Sequence, residues 1–145
     1  MEITVVRHPR ENRKKCSLRH LCGRSGVRFF NAVDGFAFDA SGYTLLEMDA
    51  PPVSPDDACR PLLLLDSTWF LLPRIRGKIR GDFVARSIPP TVKTAYPRVS
   101  KTHADPDGLA TIEALYAALF LMGIPDKTLL DGYPFAERFL RLNNF

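Results

Sequence analysis

The chain has 145 residues, of which 46% are hydrophobic and 25% are charged, and this composition is typical of one ordinary globular domain. No stretch approaches about 18 apolar residues, and the first apolar run is too short for a signal peptide, so the sequence predicts a cytoplasmic protein with no membrane partner. The three cysteines contain no C-x-x-C pair, which argues against a disulfide framework and a compact zinc site.

The first part of the chain predicts short strands joined by loops. Residues 3–6 form an opening strand that is ended by Pro9, because proline cannot donate to a sheet ladder. Residues 27–32 form the next strand. Two apolar segments then flank residues 39–42, where Gly42 suits a positive φ, so the pattern predicts a β-hairpin.

A buried strand is predicted over the four consecutive leucines at residues 62–65. They have no polar face and are too few for a membrane, which is typical of a parallel strand buried on both sides. The strand ends on Asp66, and ligands of parallel α/β sheets bind beyond the carboxyl ends of the strands. The alternative interpretation is structural, with Asp66 as a helix N-cap and Trp69 as a core residue.

The remaining elements are helices and one strand. After the leucine strand the sequence predicts a short helix and then a strand over residues 83–85. The longest helix spans residues 109–122, is apolar nearly all round, and has Gly123 as its stop. Glu113 lies in its first turn, where a structural capping role is expected. A last helix begins at Pro134, whose fixed φ suits the first helical position.

Basic residues are concentrated in two stretches of the chain. Sixteen of the twenty lysines and arginines lie in segments 7–28 and 74–101, each of which contains one acidic residue. Such segregation indicates a polyanionic partner. Two solvated basic faces without a partner remain the alternative interpretation.

Generic catalytic signatures are missing from the sequence, which has no G-x-G-x-x-G, P-loop, G-x-S-x-G or H-E-x-x-H motif. The three histidines lie in basic or turn-rich segments and are expected to be exposed to solvent. Cys16, Cys22 and His20 would form a metal site only with a fourth ligand that the pattern does not supply. From its residues alone, the chain is a basic α/β domain with a ligand site near Asp66 and Trp69.

Several motifs occur in the order found in a known family. Residues 66–69 (DSTW) end the leucine strand as a D-x-T-W signature, residues 109–115 (LATIEAL) match a small-Thr-x-Glu-Ala helix start, and residues 8–11 (HPRE) match a shorter motif. With residues 14–17 and 135–143, they resemble the DTW-domain proteins and the related small-subunit rRNA aminocarboxypropyltransferases. This resemblance implies one SPOUT-like α/β domain with a parallel core sheet, flanking helices and a C-terminal trefoil knot. An N-terminal part, 1–60, would precede a knotted, S-adenosylmethionine-binding part, 61–145.

The resemblance also implies an activity and a set of site residues. The enzyme would transfer the 3-amino-3-carboxypropyl arm of S-adenosylmethionine to N3 of a uridine or pseudouridine in rRNA or tRNA. Asp66 would deprotonate the nucleophile or orient the arm. The residues expected to bind the cofactor are Ser17, Leu65, Ser67, Trp69, Leu109 and Thr111. The residues expected to bind RNA are Arg10, Lys14, Lys15, Arg74, Arg76, Lys78, Arg80, Arg98 and Lys101. A SPOUT methyltransferase and a non-catalytic RNA-binding module remain alternatives.

Overall fold

The computed structural model describes residues 1–10, 16–68, 70–97 and 108–145. Its strands are β1 (Ile3–Arg7), β2 (Val27–Asn31), β3 (Phe38–Asp39), β4 (Thr44–Leu46), β5 (Leu62–Asp66), β6 (Ile79–Arg80) and β7 (Val84–Arg86), and its helices are α1 (Leu72–Arg76), α2 (Thr111–Leu121) and α3 (Ala136–Asn143). Five strands form one sheet in the order β2-β1-β5-β4-β7, and all neighbouring strands run parallel. The predicted α/β class with a parallel core sheet is therefore confirmed.

The leucine strand β5 lies at the centre of the sheet and is buried on both sides, as its sequence predicts. Because side chains alternate along a strand, Leu62 and Leu64 point to one face and Leu63 points to the other. The first face packs against α2 and α3 and carries the larger apolar core. The second packs against Ile75 of α1 in a smaller cluster. We call these the α2 face and the α1 face.

The predicted β-hairpin is wrong. β3 pairs in parallel with β6 in a separate two-stranded sheet, whereas β4 pairs with β5 and β7 in the main sheet. The segment between β3 and β4 does turn at Gly42, which has a φ of 81°, but the Asp39 carboxylate accepts hydrogen bonds from the backbone and side chain of Ser41 and fixes a local turn instead. Gly81 lies against this turn, and a Cβ at Gly81 would collide with both side chains.

The helix ends lie at or within two residues of the positions that the local sequence predicts. α2 is followed by Gly123 at a φ of 80°, so the predicted stop is confirmed. α3 begins at Ala136, two residues after the expected start at Pro134. Glu113 has the predicted capping role, since its carboxylate accepts a hydrogen bond from the Ala110 backbone N–H at 2.9 Å. Within the described ranges, no helix is both long enough and apolar enough to span a bilayer.

Candidate functional site

The two central strands end side by side on charged residues. Arg7 ends β1 and Asp66 ends β5, and the two residues are register partners. After β1 the chain continues to β2 at one edge of the sheet, and after β5 it continues to β7 at the opposite edge. This reversal is the position at which parallel α/β sheets bind ligands. The predicted position of Asp66 at a carboxyl strand end therefore agrees with the structure.

The Asp66 carboxylate is buried on the α2 face, with only 4% of the residue exposed. The Thr111 hydroxyl donates to Oδ1 at 2.9 Å, and the Cys16 thiol donates to Oδ2 at 2.9 Å. Arg7 Nε lies 4.0 Å from Oδ2. Two donors and one cation around a buried carboxylate suit its charged form, because burial without partners would penalise the charge.

Arg7 and Cys16 complete this cluster, and the sequence analysis assigned neither of them to a site around Asp66. The Arg7 guanidinium lies over the Phe29 ring at 4.5 Å and donates to the Cys16 sulfur at 3.6 Å. Its Nε is buried and has no hydrogen-bond partner among the described residues. Burial, followed by the neighbouring Asp66 charge, raises the pKa of the Cys16 thiol to about 12, so the thiol is protonated at neutral pH and serves as a donor.

Ser17 connects the Asp66 cluster to a cavity and to α2. Its hydroxyl oxygen accepts a hydrogen bond from the Ile112 backbone N–H at 3.2 Å, within the first turn of α2. The cavity has a volume of about 150 Å³ and is lined by Cys16, Ser17, Arg19, His20, Tyr96, Gly132, Tyr133, Pro134 and Phe135. We call it the Ser17 cavity.

The predicted cofactor residues are divided between different parts of the structure. Asp66, Ser17, Thr111 and Leu109 lie on the α2 face or beside its core. The Leu65 side chain packs on the α1 face and does not join this group. The Ser67 hydroxyl donates to the backbone carbonyl oxygen of Thr68 at 3.0 Å. Trp69 lies outside the described residues.

The predicted RNA-binding residues also differ in their surroundings. Arg10, Arg74 and Lys78 come from both basic stretches and line one cavity on the α1 side. Arg76 is paired with Glu47 at 2.7 Å, and Arg80 bonds the Gly77 carbonyl group. Lys14, Lys15, Arg98 and Lys101 lie outside the described residues.

The possible metal site is not assembled in the described ranges. His20 bonds the Leu129 carbonyl oxygen through Nε2 at 2.8 Å, and Cys16 is buried against Asp66, whereas Cys22 is exposed. In those ranges no group of three or more histidine, cysteine or acidic side chains is placed to hold a metal ion.

The sequence offered one signal for Arg7, and for Cys16 only its place in the motif at residues 14–17. Arg7 ends a predicted buried strand, and a charge in that position needs a partner. Its pairing with Asp66 follows only once β1 and β5 are known to be neighbours. Cys16 lies in a loop without periodicity, and only the folded chain brings it across 50 positions to Asp66.

A parallel α/β domain with a buried carboxylate at the point where its strand order reverses belongs to the class of ligand-binding α/β proteins. No protein-family model matches the chain. In an alignment 150 positions long, the chain is 30% identical to the 16S rRNA aminocarboxypropyltransferase of Vulcanisaeta distributa. This match covers 97% of the chain and 77% of the relative.

A solved structure agrees with this sequence relationship. It is described as the SAM-dependent rRNA:acp-transferase Tsr3 from Vulcanisaeta distributa, and it matches 99% of the chain and 78% of its own length with a TM-score of 0.76 and 28% identity. The chain belongs to the rRNA aminocarboxypropyltransferase family. The prediction of an enzyme of this transferase class is thereby confirmed.

Proposed function

We propose that this chain transfers the 3-amino-3-carboxypropyl group of S-adenosylmethionine to an rRNA, at N3 of a uridine or pseudouridine. Membership of the family supports the reaction and the cofactor. The observation that carries the proposal within this chain is the buried Asp66 carboxylate, bonded to Thr111 and Cys16 next to a cavity that Ser17 lines.

The Ser17 cavity fits one part of the cofactor. Its volume of about 150 Å³ lies below the roughly 300 Å³ at which pockets for small organic ligands begin. It is therefore matched to the amino-acid arm, and the adenosyl group has to lie outside it. The Ser17 oxygen accepts from Ile112, so its own hydroxyl hydrogen remains to donate to the carboxylate of the arm. Leu109 and Thr111 remain proposed cofactor contacts.

The contacts of Asp66 favour orientation of the arm over proton abstraction. Both of its oxygens already accept hydrogen bonds, and the residue is only 4% exposed. A general base would have to give up one of these bonds and reach the substrate base. As a fixed negative charge, by contrast, Asp66 attracts the cationic end of the arm without moving. We therefore assign Asp66 to positioning the arm.

The choice between arm and methyl group follows from presentation. S-adenosylmethionine, when bound, supplies a sulfonium that activates all three carbons attached to it. In the proposed reaction N3 bonds to the γ-carbon of the arm, the bond from that carbon to sulfur breaks, and the N3 proton passes to solvent. Ser17 and Asp66 favour this outcome by holding the arm toward the RNA, since positioning alone lowers a barrier by several kcal/mol, about 7–11 in well-aligned systems.

The finer classification is part of the same proposal. The motifs at residues 66–69 and 109–115 support a DTW-domain, SPOUT-like assignment with a knotted C-terminal half. The end of α3 contacts the segment before α2. There the Asn143 side-chain amide exchanges two hydrogen bonds with the Lys93 backbone, at 2.7 and 2.8 Å. The rRNA-acting relative favours rRNA over tRNA, and a cytoplasmic location remains a prediction.

The test uses an unmodified 16S rRNA transcript and S-adenosylmethionine labelled either in the carboxyl carbon or in the methyl group. We expect the carboxyl label to enter the RNA and the methyl label to stay out, and the modified nucleoside to have the mass of the arm adduct. Entry of the methyl label would indicate a methyltransferase. If neither label enters the RNA, the chain is not this enzyme.

Two matched variants test the assigned aspartate. Asp66→Asn keeps the side-chain shape but removes its charge, and we expect the rate of transfer to fall about 100-fold, the cost of a misplaced reacting group. Asp56→Asn makes the same chemical change at an exposed position and should transfer at the normal rate. Equal rates for the two variants would remove Asp66 from the mechanism.

A further inference from the structure

A second cavity lies beyond the carboxyl ends of β1 and β2, on the α1 side of the sheet. It has a volume of about 340 Å³ and is lined by His8, Pro9, Arg10, Ala32, Val33, Asp34, Arg74, Ile75 and Lys78. We call it the His8 cavity. We infer that it binds one nucleotide of the substrate RNA strand, next to the nucleotide that is modified, through the phosphate group. This inference rests on the proposed function, since it takes RNA to be the substrate.

Cations with few competing partners dominate the lining of the His8 cavity. Arg10 and Arg74 are exposed, and neither guanidinium has a carboxylate partner in the part of the chain that the structure describes. The Lys78 ammonium donates one bond, to the Val33 carbonyl oxygen at 3.1 Å, and has two further hydrogens. By contrast, Arg76, which lies on α1 with Arg74, is paired with the Glu47 carboxylate. Unpaired cations in a cleft are suited to a phosphate group.

The His8 ring is oriented with Nε2 available as a hydrogen-bond donor. Its Nδ1 accepts a hydrogen bond from the Arg10 backbone N–H at 3.0 Å. A ring nitrogen that accepts carries no hydrogen, so in the neutral ring Nε2 carries the proton. The imidazole therefore adds a directed donor to the three cations.

The rest of the lining is suited to a nucleoside. Ala32, Val33 and Ile75 form the apolar part of the lining, of which only Val33 is exposed to solvent, and Asp34 is the one acid among the lining residues. The volume exceeds what a phosphate group needs and lies within the range of about 300–1,000 Å³ in which pockets hold small organic ligands. A phosphate on the cations with its sugar and base on the apolar wall fills such a space, and Asp34 can accept from a base N–H group.

The position of the His8 cavity connects it to the proposed reaction. The His8 backbone N–H donates to the Asp66 carbonyl oxygen at 3.2 Å, so the cavity wall is bonded to the strand end that carries Asp66. The cavity is lined by Arg74 and Ile75 of α1, whereas the Asp66 side chain lies on the α2 face. An RNA strand that crosses the carboxyl edge of the sheet would place one nucleotide in the cavity while presenting its neighbour to the arm that Asp66 orients.

The first test measures binding of a fluorescent single-stranded decauridylate to the full chain at several salt concentrations. Arg74→Gln and Lys78→Gln should each weaken binding about fivefold at 0.1 M salt and reduce the slope of log affinity against log salt by about 0.7, the value for one single-stranded phosphate contact. Arg138→Gln removes the same charge from the exposed surface of α3 and should leave both quantities unchanged. If the cavity variants bind like Arg138→Gln, the inference is overturned.

Two substitutions of His8 separate a specific donor from general charge. In His8→Gln the amide nitrogen replaces Nε2 as a donor, and RNA binding should be kept. In His8→Asn the side-chain oxygen still accepts from the Arg10 amide, but the NH₂ group of this shorter side chain does not reach the position of Nε2, so binding should weaken about tenfold, the value for a hydrogen bond to a charged group. Equal affinity of the two variants would contradict the donor role.

Two further measurements distinguish the possible failures. UMP should compete with the oligonucleotide only weakly, and binding of UMP as tight as that of RNA would overturn the RNA assignment in favour of a free nucleotide. S-adenosylmethionine affinity, measured by calorimetry, should be unchanged in Arg74→Gln and Lys78→Gln. If the wild-type chain transfers no arm but the cavity variants still lose RNA affinity, the proposed function fails while the cavity assignment stands. If the wild-type chain transfers the arm but the cavity variants keep full RNA affinity, only the assignment of the cavity fails.

Discussion

The two faces of the central sheet are built differently although they share the same strands. The α2 face buries a large apolar core that includes Leu115, Tyr116 and Phe139, and it also buries the charged groups Asp66 and Glu113. The α1 face has a small apolar cluster that borders the open, basic His8 cavity. Buried charges need partners held in place by close packing, whereas a site for a polymeric anion has to stay accessible. Under the two proposals above, fixed chemistry belongs to the first face and exchangeable binding to the second.

The largest expected effect on stability is removal of Glu113, a fully buried charge on the α2 face. Its carboxylate accepts hydrogen bonds from the Thr94 hydroxyl at 2.6 Å and from the backbone N–H groups of Ala95 and Ala110 at 2.7 and 2.9 Å. Glu113→Ala leaves these donors unsatisfied and should lower the free energy of unfolding by about 3–5 kcal/mol, as measured by urea denaturation.

Two further substitutions locate the origin of that loss. Glu113→Gln keeps one acceptor but turns an NH₂ group toward a donor, so we expect an intermediate loss of about 1–2 kcal/mol. Glu137→Ala removes an exposed carboxylate that pairs with Arg141 on α3, and it should change stability by less than about 0.5 kcal/mol. A small loss for Glu113→Ala would mean that the α2 face tolerates unsatisfied donors.

Much of the fold follows from local patterns in the sequence. The leucine strand, the opening strand and the strand at β2 were predictable because apolar runs bounded by proline, glycine or charge give strong local signals. The capping role of Glu113 followed from its place in the first turn of a helix. The two-residue strand β6 gave no such signal, and the turn at Asp39 resembles a hairpin because its residue types suit both arrangements.

The candidate site was predictable only in part. Asp66 ends a strand, and this alone places it at the ligand-binding edge of a parallel sheet. Its partners Cys16 and Thr111 lie 50 and 45 positions away in the sequence, and their convergence depends on strand order. The His8 cavity likewise joins residues of the two basic stretches. Charge segregation indicates a polyanion, but only topology shows that Arg10 and Arg74 share one cavity.

Truncation of neighbouring leucines on β5 compares the packing of the two faces directly. Leu64→Ala opens a cavity in the large α2-side core and should cost about 4 kcal/mol, whereas Leu63→Ala should cost about 2–3 kcal/mol. The difference is expected because the smaller α1-side cluster borders open space and can relax into the lost volume. Urea denaturation measures both losses. A larger loss for Leu63→Ala would mean that the α1 face is the better packed of the two.

The smallest expected effect comes from the Cys16 thiol on the α2 face. Because burial and the Asp66 charge raise the pKa of Cys16 from 9.0 to about 12, the thiol is protonated in both folded and unfolded chains below pH 9. Between pH 9 and 12 the unfolded chain loses this proton while the folded chain keeps it. The free energy of unfolding should therefore fall as the pH rises, by at most about 1.4 kcal/mol between about pH 9 and pH 10, the interval to be measured.

Thiol chemistry separates this effect from other alkaline titrations. Cys16→Ser keeps a donor to Asp66 but does not titrate in this window, so its stability should fall less steeply above pH 9 than that of the wild type, whereas Cys22→Ser should behave like the wild type. At pH 8 a disulfide reagent should label exposed Cys22 and Cys59 promptly, and Cys16 only after denaturation. Prompt labelling of Cys16 would mean that the α2 face opens around Asp66, and the contrast between a closed face and an accessible one would then no longer hold.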